Sequence, residues 1–133
     1  MTFFVSGKIH SKARPRFTRR GHTYTDPITK AYEAQIKTQY TMSGGRNNGD
    51  KPIQLFVEAR FAPPKRTAKS IWKRMIERIL FPLKRPDIDN VVKVVMDALN
   101  KTAYDDDKQV VDLHARKVYA ENEGLFIWVD CYE

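Results

Sequence analysis

The sequence predicts one mixed α/β domain (α+β) whose elements follow the order β-α-β-α-α-β-β. Three observations predict it. Apolar residues recur at every second position from Ile53 to Ala59, as in a strand, and at helical spacing from Ile88 to Leu99. A chain of 133 residues is long enough for one domain with a core and too short for two comfortable ones. We therefore expect a single domain over residues 1–133.

The first half of the chain contains two predicted strands with one predicted helix between them. The first strand, over residues 2–9, mixes apolar and polar residues, and a basic loop without apolar periodicity follows over residues 11–26. Asp26 followed by Pro27 is typical of a helix start, because an N-cap residue often precedes proline at the first helical position. That helix should run to about Tyr40.

The second half contains two predicted helices and two predicted strands. Residues 70–80 place apolar side chains opposite lysines and arginines, which predicts a basic amphipathic helix with one face on the core. The next helix should begin at Asp87 or Asp89. Its apolar stripe, expected to be buried, consists of Ile88, Val92, Val95, Met96 and Leu99. Residues 109–119 and 125–132 are rich in Val, Ile and aromatics, which predicts two adjacent strands forming a hairpin.

The chain is basic, and its charge is unevenly distributed. The formal net charge is +8 and the pI is about 9.7, which suggests a polyanionic partner. Positive residues dominate residues 1–30 and 65–85, whereas acids outnumber them from residue 86 onward. The single cysteine, Cys131, agrees with a reducing compartment, and there is no apolar stretch of signal-peptide or membrane-spanning length. We expect a cytoplasmic protein without a membrane partner.

Two groups of acids are the strongest indication of chemistry. Asp87 lies at a loop-to-helix junction and Asp89 in the first helical turn, where the helix dipole favours negative charge. Asp89, Lys93 and Asp97 share one helix face. The second group, residues 105–107, is three consecutive aspartates, which repel one another unless a cation compensates. Because Mg²⁺ prefers oxygen ligands and combines few carboxylates with water and phosphate, these acids predict a magnesium site.

A purely structural role for the same residues remains open. Asp87 would then only cap the helix, and Asp89, Lys93 and Asp97 would form a surface ion-pair ladder worth about 0.3–0.5 kcal/mol per pair. In the catalytic alternative, metal-bound carboxylates in a basic protein fit phosphodiester hydrolysis, with Lys93 neutralising charge on the phosphate. The three histidines show no zinc-ligand spacing, and no Ser-His-Asp arrangement or phosphate-binding loop is present.

Several stretches together resemble the RusA family of Holliday-junction resolvases, which is common in prophages. They are Arg85-Pro-Asp-Ile-Asp-Asn-Val-Val-Lys93, Asp97-Ala-Leu-Asn100, Tyr104-Asp-Asp-Asp-Lys-Gln-Val-Val111 and Lys117. The N-terminal segment is similar as well, in Gly7-Lys8 and Arg14-Pro-Arg16-Phe17. The resemblance covers nearly the whole chain and is strongest from residue 84 to residue 117.

The resemblance implies a homodimer with a mixed sheet of about four strands, Mg²⁺ dependence, and paired nicks across a four-way DNA junction in recombination and repair. Carried over by position, Asp87, Asp89 and Asp107 would bind the metal, Asp106 would stand beside Asp107, and Lys93 would be the catalytic lysine. The residues expected to contact nucleic acid are Lys12, Arg14, Arg16, Arg19, Arg85 and Lys117. No small-molecule cofactor is expected.

A two-fold dimer would place one metal site against each of the two strands that must be cut. We expect its interface either on the helix face carrying Val91, Val94 and Ala98 or along the last strands. Two other functions stay open: a magnesium nuclease acting on flaps, forks or other branched DNA, and a non-catalytic basic DNA-binding dimer whose acids only cap and pair.

Overall fold

The structure, a computed structural model, describes residues 1–12, 16–24 and 26–133. Its elements are β1 (Thr2–Ser6), β2 (Arg16–Phe17), β3 (Thr23–Tyr24), α1 (Pro27–Met42), β4 (Ile53–Phe61), α2 (Lys69–Ile76), α3 (Ile88–Leu99), a 3-10 turn (Asp107–Gln109), β5 (Val110–Tyr119) and β6 (Gly124–Cys131). The order is the predicted one, with the two-residue strands β2 and β3 added inside the basic loop. None of the helices described is long and apolar enough to cross a membrane.

Four strands form one mixed sheet, as predicted. Their order across the sheet is β1-β6-β4-β5. β6 runs antiparallel to both β1 and β4, whereas β5 runs parallel to β4. The predicted hairpin between the last two strands is wrong, because β4 lies between β5 and β6. β4 is buried along most of its length and half of the β5 residues are exposed, so the more apolar strand takes the central position. The connection over residues 120–123 crosses the end of β4, where the N–H of Ala120 donates to the carbonyl of Phe61 at 2.9 Å.

Helices α1 and α3 pack on one face of the sheet and enclose the core. The predicted N-cap of α1 is confirmed, since the Asp26 carboxylate accepts the backbone N–H groups of Ile28 and Thr29 at 3.0 and 3.3 Å. In α3 the stripe residues Val92, Val95 and Leu99 are buried as predicted, and Ile88 and Met96 are partly buried.

The buried face of α3 is wider than the predicted stripe. Val91, Val94 and Ala98 are at most 2% exposed and belong to the core of the single chain. The prediction that these three residues form a dimer interface is therefore wrong. A helix covered by the sheet on one side and by α1 on another needs apolar residues toward both neighbours.

Helix α2 differs from the prediction in length and in burial. It ends at Ile76, and none of its residues is buried, so the expected core face is wrong. Just beyond its end, Arg78 adopts a φ of 62°, and its guanidinium reaches Glu58 on the sheet at 3.1 Å. Ile71 and Trp72 of α2 remain 38% and 37% exposed. The Arg78–Glu58 ion pair thus links the segment after α2 to the sheet.

The sheet face opposite α1 and α3 carries a buried acid surrounded by arginines. Glu58 is 1% exposed and forms ion pairs with Arg60 at 2.7 Å, Arg78 at 3.1 Å and Arg116 at 2.5 Å. Burial acts to raise the pKa of Glu58, but hydrogen bonds from Arg60 and Arg116 and the charge of Arg78 outweigh it and hold that pKa below its usual value. One carboxylate therefore gathers three cations on this face.

Candidate functional site

A cleft of about 420 Å³ lies where the segment after β1, the end of β4 and the start of α3 meet. Asp87 lines it together with three cationic residues, Lys8, Lys84 and Arg85. All four of these residues are exposed. A second acid of the lining, Glu123, accepts the N–H of Ala62 at 3.1 Å. An anionic strand entering the cleft would therefore meet positive charge around the Asp87 carboxylate at a helix N-terminus.

The local geometry leaves the Asp87 carboxylate without a capping role. Asp87 occupies the N-cap position of α3 with φ −70° and ψ 145°, and its carbonyl accepts the N–H of Val91 at 3.1 Å. Its side chain accepts no cap hydrogen bond within the described ranges. The backbone starts the helix, and the carboxylate remains open toward the cleft.

The predicted ion-pair ladder on α3 does not form. Asp89 accepts the adjacent backbone N–H of Asn90 at 2.9 Å, and Lys93 is exposed. In the part of the chain that the structure covers, Lys93 pairs with neither Asp89 nor Asp97. Asp97 instead contacts the Nζ of Lys12 at 3.0 Å. Lys93 thus has an unengaged ammonium one helical turn from Asp89.

Lys12 connects the segment after β1 to both helices. Its Nζ lies 2.8 Å from Glu33 of α1 and 3.0 Å from Asp97 of α3, and its N–H donates to the carbonyl of Asn90 at 3.1 Å. Burial acts to lower the pKa of Lys12, but the hydrogen bonds to Glu33 and Asp97 outweigh it and raise that pKa. Lys12 was predicted to contact nucleic acid, and its charge is engaged within the chain.

The three consecutive aspartates occupy different environments. Asp106 caps the 3-10 turn, since its carboxylate accepts the N–H of Lys108 at 3.0 Å while Gln109 accepts the Asp106 N–H at 2.7 Å. This hydrogen bond from the Lys108 backbone is the main cause that lowers the pKa of Asp106. Asp107 is partly buried, and burial, then a side-chain hydrogen bond with Asp106 and the charges of Asp106 and Asp97, raise its pKa. Asp106 therefore has a structural role that Asp107 lacks.

The two groups of acids lie apart in a single chain. Asp87 and Asp89 are at the N-terminal end of α3, whereas Asp107 is near Asp97, toward its C-terminal end. At ~1.5 Å per residue, the helix separates Asp89 from Asp97 by about 12 Å along its axis. Among the residues described, no three Asp, Glu, His or Cys side chains are close enough to hold one metal ion. Within the described residues, one chain alone therefore does not gather Asp87, Asp89 and Asp107 around one ion.

Two of the predicted DNA-contacting residues belong to the surroundings of the cleft. Arg85 lines it directly. The Nζ of Lys117 donates to the carbonyl of Lys84, and both lysines lie over the ring of Phe61, at 5.6 and 5.3 Å from its centroid. Lys117 thus fixes the backbone of the segment that leads into Asp87.

The remaining residues that were predicted to contact DNA lie in the basic loop. Arg19 is exposed in the turn between β2 and β3, outside the cleft lining. Arg16 begins β2, but the description does not extend to its side chain, and Arg14 lies outside the described residues.

Sequence reasoning gave Lys8 no role in the site, and it included Lys84 only among the lysines and arginines of residues 65–85 that were expected to contact phosphates. Lys84 immediately precedes the motif that begins at Arg85, and that proximity was a usable signal. Lys8 lies about eighty residues from Asp87 in the chain, so only the folded arrangement brings it to the cleft.

Comparison with known proteins identifies one matching family and a similar protein. The family model described as endodeoxyribonuclease RusA matches residues 6–130, which include the cleft, α3 and both groups of acids. A Bacillus subtilis (strain 168) protein named "Uncharacterized protein YqaN" is 35% identical over 138 residues, covering 96% of this chain and 93% of that protein.

Proposed function

Because the chain belongs to the RusA endodeoxyribonuclease family, we propose that it is a Mg²⁺-dependent endonuclease that resolves Holliday junctions. Family membership makes it a DNA endonuclease. The proposal adds the substrate, the metal and the assembly: a homodimer that cuts a four-way junction by paired symmetric nicks, in homologous recombination and DNA repair.

The observation that carries the proposal is that the side chains of Asp87 and Lys93 do not make the contacts that a structural role requires. A purely structural role requires the Asp87 side chain to cap α3 and Lys93 to pair with its acidic neighbours on the helix. The Asp87 side chain makes no cap bond and Lys93 forms neither pair within the described chain. An uncapped carboxylate in a cationic cleft, with a lysine nearby on the same helix, fits phosphodiester chemistry better than helix stabilisation.

The donor set fits magnesium. Asp87 and Asp89 are two residues apart at the start of α3 and offer only carboxylate oxygens, which a hard divalent cation prefers. Mg²⁺ is usually held by one or two carboxylates together with waters and substrate phosphate, so two acids suffice as a protein anchor. When bound, the ion would polarise the scissile phosphate and lower the pKa of the attacking water.

The other side chains of the site have separable roles. Lys8, Lys84 and Arg85 bind backbone phosphates on either side of the cut, which orients the strand in the cleft. Lys93 neutralises the negative charge that develops on the reacting phosphate. Lys117 acts through the carbonyl of Lys84 and is a positioning residue.

The separation of Asp107 from Asp87 supports a site shared between subunits. If Asp107 is a ligand, as the resemblance implies, it does not join Asp87 and Asp89 at one ion in the described part of a single chain, where no three such side chains are close enough. A two-fold dimer resolves the difficulty, because each subunit can contribute Asp107 to the metal site of the other. Such a nuclease would be active only as a dimer.

The test is cleavage of a synthetic four-way junction beside a linear duplex and a flap, in Mg²⁺ or in EDTA. We expect symmetric nicks in the junction with Mg²⁺, none in EDTA, and none from Asp87→Asn, which should still bind the junction. Asp130→Asn, which removes an exposed acid from β6, is the matched control and should cut normally. Equal cleavage of the flap would favour a general branched-DNA nuclease, and binding without any cleavage would favour a DNA-binding dimer.

A further inference from the structure

Large apolar side chains are exposed in the segment that leads into the cleft, residues 79–83. Leu83 is 97% exposed, Phe81 is 51% exposed and Ile79 is 55% exposed. Pro82 between the first two is buried, so the backbone here is packed against the protein while its apolar neighbours remain open to solvent. A single exposed apolar residue needs no explanation, whereas several together beside a binding site are typical of a contact surface.

This segment is fixed to the fold at both ends. At its start, the N–H groups of Ile79 and Leu80 both donate to the carbonyl of Arg74 in the last turn of α2, at 2.9 and 3.2 Å. Just beyond its end, the Nζ of Lys117 donates to the carbonyl of Lys84. Because the backbone is held on both sides, its exposed side chains lose less conformational freedom when they contact a ligand. The segment is therefore built to present apolar groups at a defined place.

The cations next to this segment identify the kind of ligand that fits it. Lys84 and Arg85 follow Leu83 directly in the chain and line the cleft. An apolar partner would have to remove water from these charges without replacing it, which is costly. Nucleic acid instead offers phosphates to the cations and base faces to the apolar side chains. Successive Cα atoms are about 3.8 Å apart and successive bases about 3.4 Å apart, so a strand held at Lys84 and Arg85 brings its next bases within reach of Leu83 and Phe81.

The branch point is the part of the DNA where bases can be reached in this way. Proteins that bend DNA insert apolar side chains between base steps, and this insertion breaks the stacking of the step. In a linear duplex every base pair is covered by neighbours on both sides. Where four arms meet, the bases at the exchange point can separate with less stacking lost, so an apolar side chain gains more there than it does in duplex.

We propose that Phe81 and Leu83 form an apolar wedge that contacts the bases at the branch point, while Lys84 and Arg85 hold the phosphates beside them. This role rests on the proposed function, because it concerns the same DNA substrate and assigns a second part of it to this chain. The cleft cations bind phosphates of linear and branched DNA alike. The wedge therefore contributes to the selection of branched over linear DNA.

The fluorescence of 2-aminopurine measures the expected opening, because this base analogue becomes brighter when it loses stacking. It is placed beside the branch point of a four-way junction, and binding is measured in EDTA. We expect wild type to raise the fluorescence and the double variant Phe81→Ser, Leu83→Ser to lose most of that rise. Phe81→Leu combined with Leu83→Met keeps both side chains apolar and should preserve it. Met42→Ser removes an exposed apolar side chain at the end of α1, is the matched control and should behave as wild type.

Dissociation constants separate the wedge from the phosphate contacts. The double serine variant should bind the junction about tenfold more weakly and the duplex less than about twofold more weakly, because it loses contacts to bases and keeps the cations. Circular dichroism checks that the variant folds. An equal loss on junction and duplex would overturn the wedge. A shift of the variant from dimer to monomer in sedimentation would also overturn it, since a second copy would then cover the two side chains.

Cleavage of the same junction by the wild type in Mg²⁺, measured in parallel, separates the two proposals. Cleavage without any rise of the 2-aminopurine signal on binding would overturn the wedge and leave the proposed function standing. A rise that depends on Phe81 and Leu83 in a protein that cuts no DNA would support the wedge and overturn the function.

Discussion

Mixing two inactive variants should restore part of the nuclease activity. Asp87→Asn and Asp107→Asn each remove one acid from both sites of a homodimer, so each variant alone should be inactive. In a mixed dimer with shared sites, the Asp87→Asn of one subunit and the Asp107→Asn of the other fall in the same site. The second site then keeps both wild-type carboxylates.

The expected recovery follows from this geometry. Random exchange of subunits makes about half of the dimers mixed, and each mixed dimer has one intact site of two, so about a quarter of the wild-type sites return. If each site belonged to a single chain, no site would be intact in any dimer. The structural reason for expecting recovery is that no three acids in the described part of one chain are close enough to hold one ion.

A supercoiled plasmid with an extruded cruciform is a suitable substrate. Paired cuts by the wild type linearise it, whereas a mixed dimer with one intact site should yield only nicked circles. Co-refolding the two variants with different affinity tags allows the mixed dimer to be isolated. Asp87→Asn mixed with Asp89→Asn is the matched control and should stay inactive, because each mixed dimer then has one substituted acid in each site. An inactive Asp87→Asn and Asp107→Asn mixture that still binds the cruciform would refute the shared site.

Other consequences of the structure can be measured independently. Glu58→Gln should lower the free energy of unfolding by about 2 kcal/mol in urea titrations. Breaking a buried ion pair costs about 3–5 kcal/mol, but the side chains of the three arginines are 29–52% exposed and regain hydration, which reduces the cost. The control, Glu77→Gln, breaks an exposed pair and should cost under about 0.5 kcal/mol. Because the pKa of Glu58 is lowered in the fold, its contribution to stability is complete above the usual carboxyl pKa and is lost as pH falls through the folded value. The free energies of unfolding of wild type and Glu58→Gln should therefore converge in acid. A difference that stays constant with pH would show that the Glu58 charge is not the cause. Lys12→Gln should cost about 1 kcal/mol of stability without changing the salt dependence of junction binding, whereas Arg85→Gln should reduce that salt slope by about one; the opposite pattern would show that Lys12 contacts phosphate. Lys93→Ala should reduce the single-turnover cleavage rate by about 10²–10³ with unchanged junction affinity, and a weakened affinity at an unchanged rate would assign it to binding.

Local signals predicted much of the secondary structure correctly. Asp26 and Pro27 start α1 because capping depends on neighbouring backbone groups, and the apolar alternation of β4 appears as a strand whatever its partners. The long apolar stripe of α3 was predicted for the same reason. α2 was the exception in burial, because its helical apolar spacing predicted a core face although none of its residues is buried.

The predictions that failed concern features that depend on residues far apart in the chain. The hairpin of β5 and β6 was predicted from a short connection, but β4 enters between them and supplies the fully covered central strand. Val91, Val94 and Ala98 were assigned to a dimer surface because sequence periodicity cannot say how many neighbours a helix packs against.

By itself the sequence determined which chemical groups are available and where the helices begin: the acids at Asp87 and Asp89, the lysine one turn later, and a basic chain around them. These features depend on contacts within a few residues. Only the folded arrangement shows that Lys12 and Asp106 are engaged within the chain, that Lys8 joins the cleft, and that Asp107 lies near Asp97. Such distances follow from the order of strands in the sheet and from the length of α3, and pairing between remote segments decides that order.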